Sequence, residues 1–179
     1  ICVDKVAASG GYMMACLADR LVAAPFAIIG SIGVVAQLPN FNRFLDKNAI
    51  DFEQITAGEY KRTLTVFGEN TQEGREKVQE DINLTHDLFK QHIIEHRQQL
   101  DLEKVATGEH WYATQAIAFE LIDDIQTSDD YLMSLLKTHQ LLAINYKIKT
   151  PKLKQLTQQA SQLLTGHLSK QTLLKKMGL

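Results

Sequence analysis

A serine followed by two glycines is the first feature of this sequence that could do chemistry. Ser9-Gly10-Gly11 lies between two apolar segments, a pattern that predicts a strand, a sharp turn and a helix. Such a turn presents the serine hydroxyl as a nucleophile, and it leaves the Gly10 N–H at a helix start, where it could face a developing oxyanion. A serine reacts only when a neighbouring base takes its proton. The triplet is also a common turn with a helix N-cap, so the local pattern leaves both interpretations open.

A histidine motif offers a different chemistry. His92-Ile93-Ile94-Glu95-His96 is an H-x-x-E-H string on a predicted helix, the arrangement in which inverted zinc peptidases hold two ligands and a base. A zinc site would also need a third, carboxylate ligand well downstream, where the chain has only Glu103, Glu109 and Glu120. The competing interpretation is that both histidines lie at the edge of the apolar stripe of the helix.

A Ser-His-Asp triad is a further possibility for Ser9. The chain contains His86, His110 and Asp123, but no spacing links any of them to the serine. The sequence alone therefore identifies a candidate nucleophile and leaves its base open.

The elements that must position these residues follow from hydrophobic patterning. Apolar runs predict strands at residues 1–7, 26–35, 52–56 and 121–125. Helical periodicity predicts helices at residues 12–18, 71–100, 113–119 and 131–140, the longest with an apolar stripe of Val78, Ile82, Phe89 and Ile93. Strands that alternate with helices predict an α/β fold.

Composition favours a globular domain with a sizeable core. The chain has 179 residues, of which 45% are hydrophobic and 22% charged. Cys2 and Cys16 lie outside any Cys/His cluster, so we expect core thiols and no disulfide framework. The longest apolar stretch, 21–38, contains a proline and glycines that break a membrane-spanning helix. Because the first residues resemble the middle of a buried strand, we expect the chain to be a fragment of a longer protein.

Charged residues are unevenly distributed along the chain. All 21 acidic residues precede Leu141, whereas residues 141–179 carry seven lysines among regularly spaced leucines. We expect a basic amphipathic tail that packs on the body, on a second subunit or on a membrane. The acidic body disfavours nucleic acid as a partner. A non-catalytic assembly module that uses this tail is the alternative from a different functional class.

Four sequence blocks, in this order, resemble the signal peptide peptidase A family of Ser-Lys peptidases, and its SohB-type branch in particular. The blocks are Val6-Ala7-Ala8-Ser9-Gly10-Gly11-Tyr12, Ala18-Asp19-Arg20, Gly30-Ser31-Ile32-Gly33-Val34 and Gly58-Glu59-Tyr60-Lys61-Arg62. The likeness covers roughly residues 2–130, with Ala113 and Glu120 where the family usually has glycines. The resemblance implies a ClpP/crotonase-like α/β fold, with residues 1–140 as the catalytic core and a helical, basic appendage after it.

The resemblance also implies roles for individual residues. Ser9 would be the nucleophile, Lys61 its general base and Ser31 a supporting hydroxyl, with the oxyanion facing Gly10. A lysine accepts a proton only in its neutral form, which burial away from carboxylates favours. Ser31 could then hold the neutral amine by a hydrogen bond.

The resemblance implies a cellular setting as well. The substrates would be membrane-derived peptides such as cleaved signal peptides, and no metal or organic cofactor would be needed. The catalytic domain would face the periplasm at the bacterial inner membrane, held by an anchor outside this chain. The subunits would form a ring-like homo-oligomer.

Overall fold

A computed structural model describes residues 1–146 of the protein. The chain divides after Gln140 into two units, of which the first, Ile1–Gln140, holds every helix and strand described below. The predicted amphipathic tail lies outside the described residues except for its first six positions. No helix in the described part is long and apolar enough to cross a membrane.

The described residues form short strands and one long helix. The strands are β1 (Cys2–Val3), β2 (Val6–Ala8), β3 (Val22–Ala23), β4 (Ile28–Gly30), β5 (His110–Tyr112) and β6 (Asp124–Ile125). The helices are α1 (Gly10–Ala15), α2 (Asn42–Lys47), α3 (Gln72–His96), α4 (Leu102–Val105), α5 (Ala113–Ala116) and α6 (Ser128–Leu135), and a short 3-10 helix covers Ile117–Phe119.

The strands belong to two three-stranded sheets. One sheet has the order β1-β3-β6 with all strands parallel, and the other pairs β4 with β2 in parallel and with β5 antiparallel. The single strand predicted for residues 1–7 is therefore wrong, because the chain bends at Asp4 and Lys5 and sends its two halves into different sheets. The predicted mixture of helices and strands is confirmed.

A core of small and branched side chains joins the sheets to the helices. Its fully buried members include Tyr12, Cys16, Leu21, Ile29, Ile32, Ile93 and Leu121. The long helix α3 contributes Phe89 and Ile93 from its C-terminal half, whereas Val78 and Ile82 are only partly buried. Of the two thiols, Cys16 is buried as predicted, and Cys2 is only half-buried because β1 lies at the edge of its sheet.

Several local predictions need correction. Residues 52–56 form no strand and are exposed, and helix α2 and strand β5 appear where no element was predicted. β5 is short and only Trp111 in it is buried. Its sequence therefore has no alternation of apolar and polar residues long enough to predict a strand. Helix α6 begins before the predicted Tyr131, because the Thr127 hydroxyl caps it by accepting the Asp130 N–H at 3.1 Å.

The family-atypical residue Glu120 occupies a left-handed position. It ends the short 3-10 helix with φ 59°, a conformation that glycine adopts at lower cost. The carbonyl oxygen of Glu120 accepts a hydrogen bond from the Arg97 guanidinium at 3.0 Å, which holds the turn in place.

Arg97 is the one charged residue buried among the described residues. Its guanidinium donates to both carboxylate oxygens of Asp123, at 2.7 and 3.0 Å, and Asp123 also accepts the Leu21 N–H at 2.6 Å. The hydrogen bonds from Arg97 hold the pKa of Asp123 below its usual value. Because the pKa is lowered in the folded protein, this contribution to stability is complete above about pH 5 and is lost as the pH falls through the folded value.

Replacing Asp123 by Asn should lower the free energy of unfolding by about 3 kcal/mol at neutral pH, because it leaves a buried guanidinium without its counter-charge. The matched control is Asp124→Asn, since the Asp124 partner Arg20 is 56% exposed and such a pair contributes less than about 1 kcal/mol. Urea denaturation at pH 7 and at acid pH measures both effects. The cost of Asp123→Asn should shrink as the pH falls below about 4, and equal costs for the two variants would contradict this account.

Candidate active site

Ser9 lies at a strained turn between a strand and a helix. Its backbone has φ 52° and ψ −122°, a region that non-glycine residues rarely occupy and that costs about 1–3 kcal/mol. The Ser9 N–H donates to the Gly30 carbonyl at 2.8 Å, and the Ser9 carbonyl accepts from Tyr12 and Met13 at 2.9 and 3.0 Å. These bonds hold the strained conformation, and the serine remains exposed.

Ser31 is held in the same manner on the neighbouring strand. Its φ is also 52°, and its N–H donates to the Glu109 carbonyl at 2.7 Å. Because Ala8 pairs with Gly30 in the parallel β2–β4 ladder, the two serines follow directly after paired strand ends. Gly30, just before Ser31, has a φ of 99°, and a Cβ there would lie 3.0 Å from the Trp111 ring on β5, so glycine suits this strand end.

Ser9, Ser31 and Gly10 line one cleft of about 700 Å³. Gly10 begins helix α1, and no described residue accepts a hydrogen bond from its N–H. A Cβ at Gly10 would meet open space, so the cleft is accessible at this point. The structure thus places three of the four predicted site residues together.

Lys61 lies elsewhere in the described structure. It lines a second cleft of about 680 Å³ together with Phe52, Ile55 and Phe67, and it is not among the residues that line the Ser9 cleft. The loop that carries it is exposed from residue 51 to residue 62. Ser9 and Lys61 therefore line different clefts, and the dyad stays a prediction.

Comparison with known proteins places the chain among peptidases. The sequence model described as Peptidase family S49 matches residues 1–142. The chain belongs to peptidase family S49. It is 54% identical to the "Probable protease SohB" of Haemophilus influenzae over 162 residues, which are 90% of this chain and 46% of that protein. It is 60% identical to the "Probable protease SohB" of Buchnera aphidicola subsp. Schlechtendalia chinensis over 134 residues, 75% of this chain and 44% of that protein.

A more distant relative comes from an archaeon. A "Putative protease" of Methanocaldococcus jannaschii is 35% identical over 136 residues, 74% of this chain and 43% of that protein. The resemblance to the family is thus confirmed by both kinds of comparison. The chain spans about half the length of the relatives it matches.

Asparagine side chains anchor the base of the Lys61 loop. Asn40 donates from its amide to the carbonyls of Thr65 and Gly68, both at 2.9 Å, and the Asn70 side chain accepts the Thr65 N–H at 2.8 Å. The two Asn40 bonds tie the segment that follows Lys61 to the segment that precedes α2. The Asn70 bond closes a turn within the segment that follows Lys61. The loop is therefore fixed at its base while its tip is exposed.

Gly74 lies where this loop approaches the first turn of helix α3. A Cβ at Gly74 would overlap the Thr63 carbonyl oxygen, two residues after Lys61. The Gly74 N–H donates to the Thr71 hydroxyl at 3.0 Å, which caps the helix. Only glycine lets the backbone of the loop rest on the first turn of α3.

The two histidines of the H-x-x-E-H string lie side by side on α3, with their ring centroids 4.9 Å apart. His92 places its Nε2 3.0 Å from the Met13 carbonyl, and His96 places its Nδ1 2.8 Å from the His92 carbonyl. No group of three or more His, Cys, Asp or Glu side chains in residues 1–146 is arranged to hold a metal ion. The geometry therefore gives the zinc alternative no support.

Two components of the conceivable triad, Asp123 and His110, do not line the Ser9 cleft. Asp123 is engaged by Arg97, and His110 is exposed on β5. His86, by contrast, lines the Ser9 cleft, a location that sequence reasoning left open. The signal that could have found it is its place between Ile82 and Phe89 in the apolar stripe of α3.

Gly74→Ala should lower the free energy of unfolding by about 1–3 kcal/mol, because the added methyl group must displace the Lys61 loop from α3. The control is Gly11→Ala in helix α1, where a Cβ would meet open space and stability should be unchanged or slightly higher. Thermal unfolding measures both variants. Limited proteolysis should cut the 58–63 loop faster in Gly74→Ala, and an unchanged pattern with unchanged stability would contradict the close contact.

Proposed function

We propose that the protein is a serine endopeptidase that uses a Ser9–Lys61 dyad. The observation that carries this proposal is the strained, exposed Ser9 turn, which opens on a cleft shared with Ser31 and Gly10. The protease names of the relatives agree with it. The arrangement of two sheets supports the ClpP/crotonase-like fold that the resemblance implies.

The chemistry follows from the residue types. Ser9 Oγ attacks the carbonyl carbon of the scissile bond while its proton passes to the neutral Lys61 amine. The Gly10 N–H stabilises the oxyanion, and Ser31 orients the amine. As the intermediate collapses, Lys61 gives the proton to the leaving amine, and a water then hydrolyses the acyl-serine by the same route.

Lys61 must be covered before it can serve as this base. Burial away from carboxylates favours the neutral form of a lysine, whereas Lys61 is exposed on a loop that also carries Glu59 and Arg62. The tip of the same loop exposes Ile55 at 94% and Tyr60 at 54%, an apolar surface of the kind that associates with another protein surface. We therefore place the dyad between copies of the protein, with the Lys61 loop of one copy covering the Ser9 cleft of the next.

The substrates and location that we propose are those that the family resemblance implies. We propose signal-peptide-like or other membrane-derived peptides as substrates, and a catalytic domain that faces the periplasm at the inner membrane. The homo-oligomer is the ring-like assembly that heterologous contacts between copies produce. The substrates, location and assembly proposed are those of the full-length protein, and activity is measured on that form.

Ser9→Ala and Lys61→Ala should each reduce peptide hydrolysis by about 10⁴-fold or more, because the dyad acts as a unit. Lys61→Arg should be equally inactive, since a guanidinium stays protonated. Cleavage of a fluorogenic peptide and Ser9 labelling by a fluorophosphonate probe are the measurements. Full activity in Lys61→Ala would exclude the dyad, and loss of activity in EDTA that zinc restores would favour His92, Glu95 and His96 instead.

Mixing two inactive variants tests whether the dyad forms between copies. Ser9→Ala and Lys61→Ala proteins, co-expressed in equal amounts, should recover roughly a quarter of the wild-type activity, because some interfaces then join an intact Ser9 to an intact Lys61. The double variant mixed with wild type at the same ratio is the control for dilution. No recovery in a mixed oligomer would show that Lys61 reaches the Ser9 of its own copy.

A further inference from the structure

Two contacts hold the Lys61 loop against helix α3, one on each side of the lysine. After the lysine, the Thr63 carbonyl lies so close to Gly74 that no Cβ fits between them. Before the lysine, the Lys77 ammonium lies 5.6 Å from the centre of the Tyr60 ring, which is within the range of a cation–π interaction. Gly74 and Lys77 are three residues apart and share one face of α3. The loop is therefore held immediately before Lys61 and two residues after it.

Lys77 is fixed over the ring by carboxylates of its own helix. Its ammonium lies 3.1 Å from an oxygen of Asp81 and 3.3 Å from an oxygen of Glu80. Hydrogen bonds to Asp81 and Glu80 raise the pKa of Lys77, so it remains a cation. The negative charge of Glu59 raises the pKa of the Tyr60 hydroxyl, so the ring remains neutral. A fixed cation and a neutral aromatic face are the two components that a cation–π interaction requires.

The contact at Tyr60 determines the side of the loop on which Lys61 lies. Tyr60 lines a small cleft of about 140 Å³ between the loop and the first turn of α3. Lys61 does not line that cleft, and it lies instead in the larger cleft with Phe52 and Ile55. The Lys61 N–H donates to the Gly58 carbonyl at 3.2 Å, which closes a turn just before these residues diverge. Because the two neighbours line different clefts, holding the Tyr60 ring on α3 directs Lys61 away from the helix.

We propose that Lys77 is a positioning residue for Lys61, which it orients by holding the Tyr60 ring against α3. This inference rests on the proposed function in one respect, the role of Lys61 as the base. Lys77 does not line the Ser9 cleft, so it acts through the loop alone. Without the cation, the ring loses its contact and the loop adopts further conformations, in which the Lys61 amine points away from Ser9. The proton-transfer step then slows, while substrate binding in the cleft is unaffected.

Steady-state kinetics of the full-length protein tests the positioning role. Lys77→Met, which keeps an unbranched side chain and removes its charge, should lower kcat about two- to fivefold with KM unchanged, the loss expected for an exposed cation–π contact. Tyr60→Leu should cause the same loss, and the double variant should be no slower than either single variant, because each change removes the same interaction. Lys77→Arg and Tyr60→Phe keep the cation and the ring, and should keep the wild-type kcat.

The matched control is Lys90→Met on the same helix. The Lys90 side chain is 32% exposed, as is that of Lys77, and its ammonium lies 2.7 Å from Asp87, but within residues 1–146 it lies over no aromatic ring. Lys90→Met should therefore keep the wild-type kcat. Hydrogen–deuterium exchange of the 58–63 segment measures the loop independently of catalysis, and it should be about two- to fivefold faster in Lys77→Met than in Lys90→Met.

The outcomes separate the positioning role from the proposed dyad. With Lys61→Ala inactive, an unchanged exchange rate or an unchanged kcat in Lys77→Met would overturn the positioning role. Equal losses in Lys77→Met and Lys90→Met, or a double variant that loses the product of the two single losses, would overturn it as well. Full activity of Lys61→Ala, together with faster exchange in Lys77→Met, would instead overturn the dyad alone.

Discussion

The Arg97 guanidinium joins parts of this fold that are distant in sequence. It lies at the end of α3, where it binds the carboxylate of Asp123 and the carbonyl of Glu120. Asp123 in turn accepts the N–H of Leu21, just before β3. A buried cation requires such partners, because its desolvation is compensated only by charge and hydrogen bonds together. The position of α3, of the left-handed turn at Glu120 and of the entry to β3 is thereby fixed by one group.

The position of Ser9 depends on the contacts around Arg97, because helix α1 connects the two. Tyr12, buried in α1, donates its hydroxyl proton to the Leu121 carbonyl at 2.8 Å, beside the Arg97–Asp123 pair, and burial raises the pKa of that hydroxyl. Helix α1 is thus held at its first turn, and the strained Ser9 lies immediately before it. The backbone at Ser9 and Ser31 keeps its strained conformation because strand pairing and these helix contacts hold it in place.

The two halves of the proposed dyad differ in how they are supported. Ser9 rests on paired strands and a packed helix, whereas Lys61 extends on a loop that is anchored by Asn40, Asn70 and the contact at Gly74. A rigid nucleophile with a base on an exposed loop suits a site that is completed by a second surface. The same exposure that leaves the lysine solvated makes its loop available for an intermolecular contact.

Local sequence by itself determined the features that depend on neighbouring residues. The glycines after Ser9 predicted the strand-turn-helix, and the apolar stripe predicted α3, since both patterns act within a few residues along the chain. The ordered motifs correctly indicated the family, because they are local as well. The site residues themselves were assigned through that resemblance and remain predictions.

Tertiary structure decided what depends on partners distant in sequence. The bend at Asp4 and Lys5 divides an apolar run between two sheets, which no periodicity in residues 1–7 could show. That Ser9 and Lys61 line different clefts, and that His86 lines the serine cleft, depends on packing between segments more than fifty residues apart. Propensity and pattern report only on near neighbours, so long-range pairing of strands, loops and helix faces is visible only once the chain has folded.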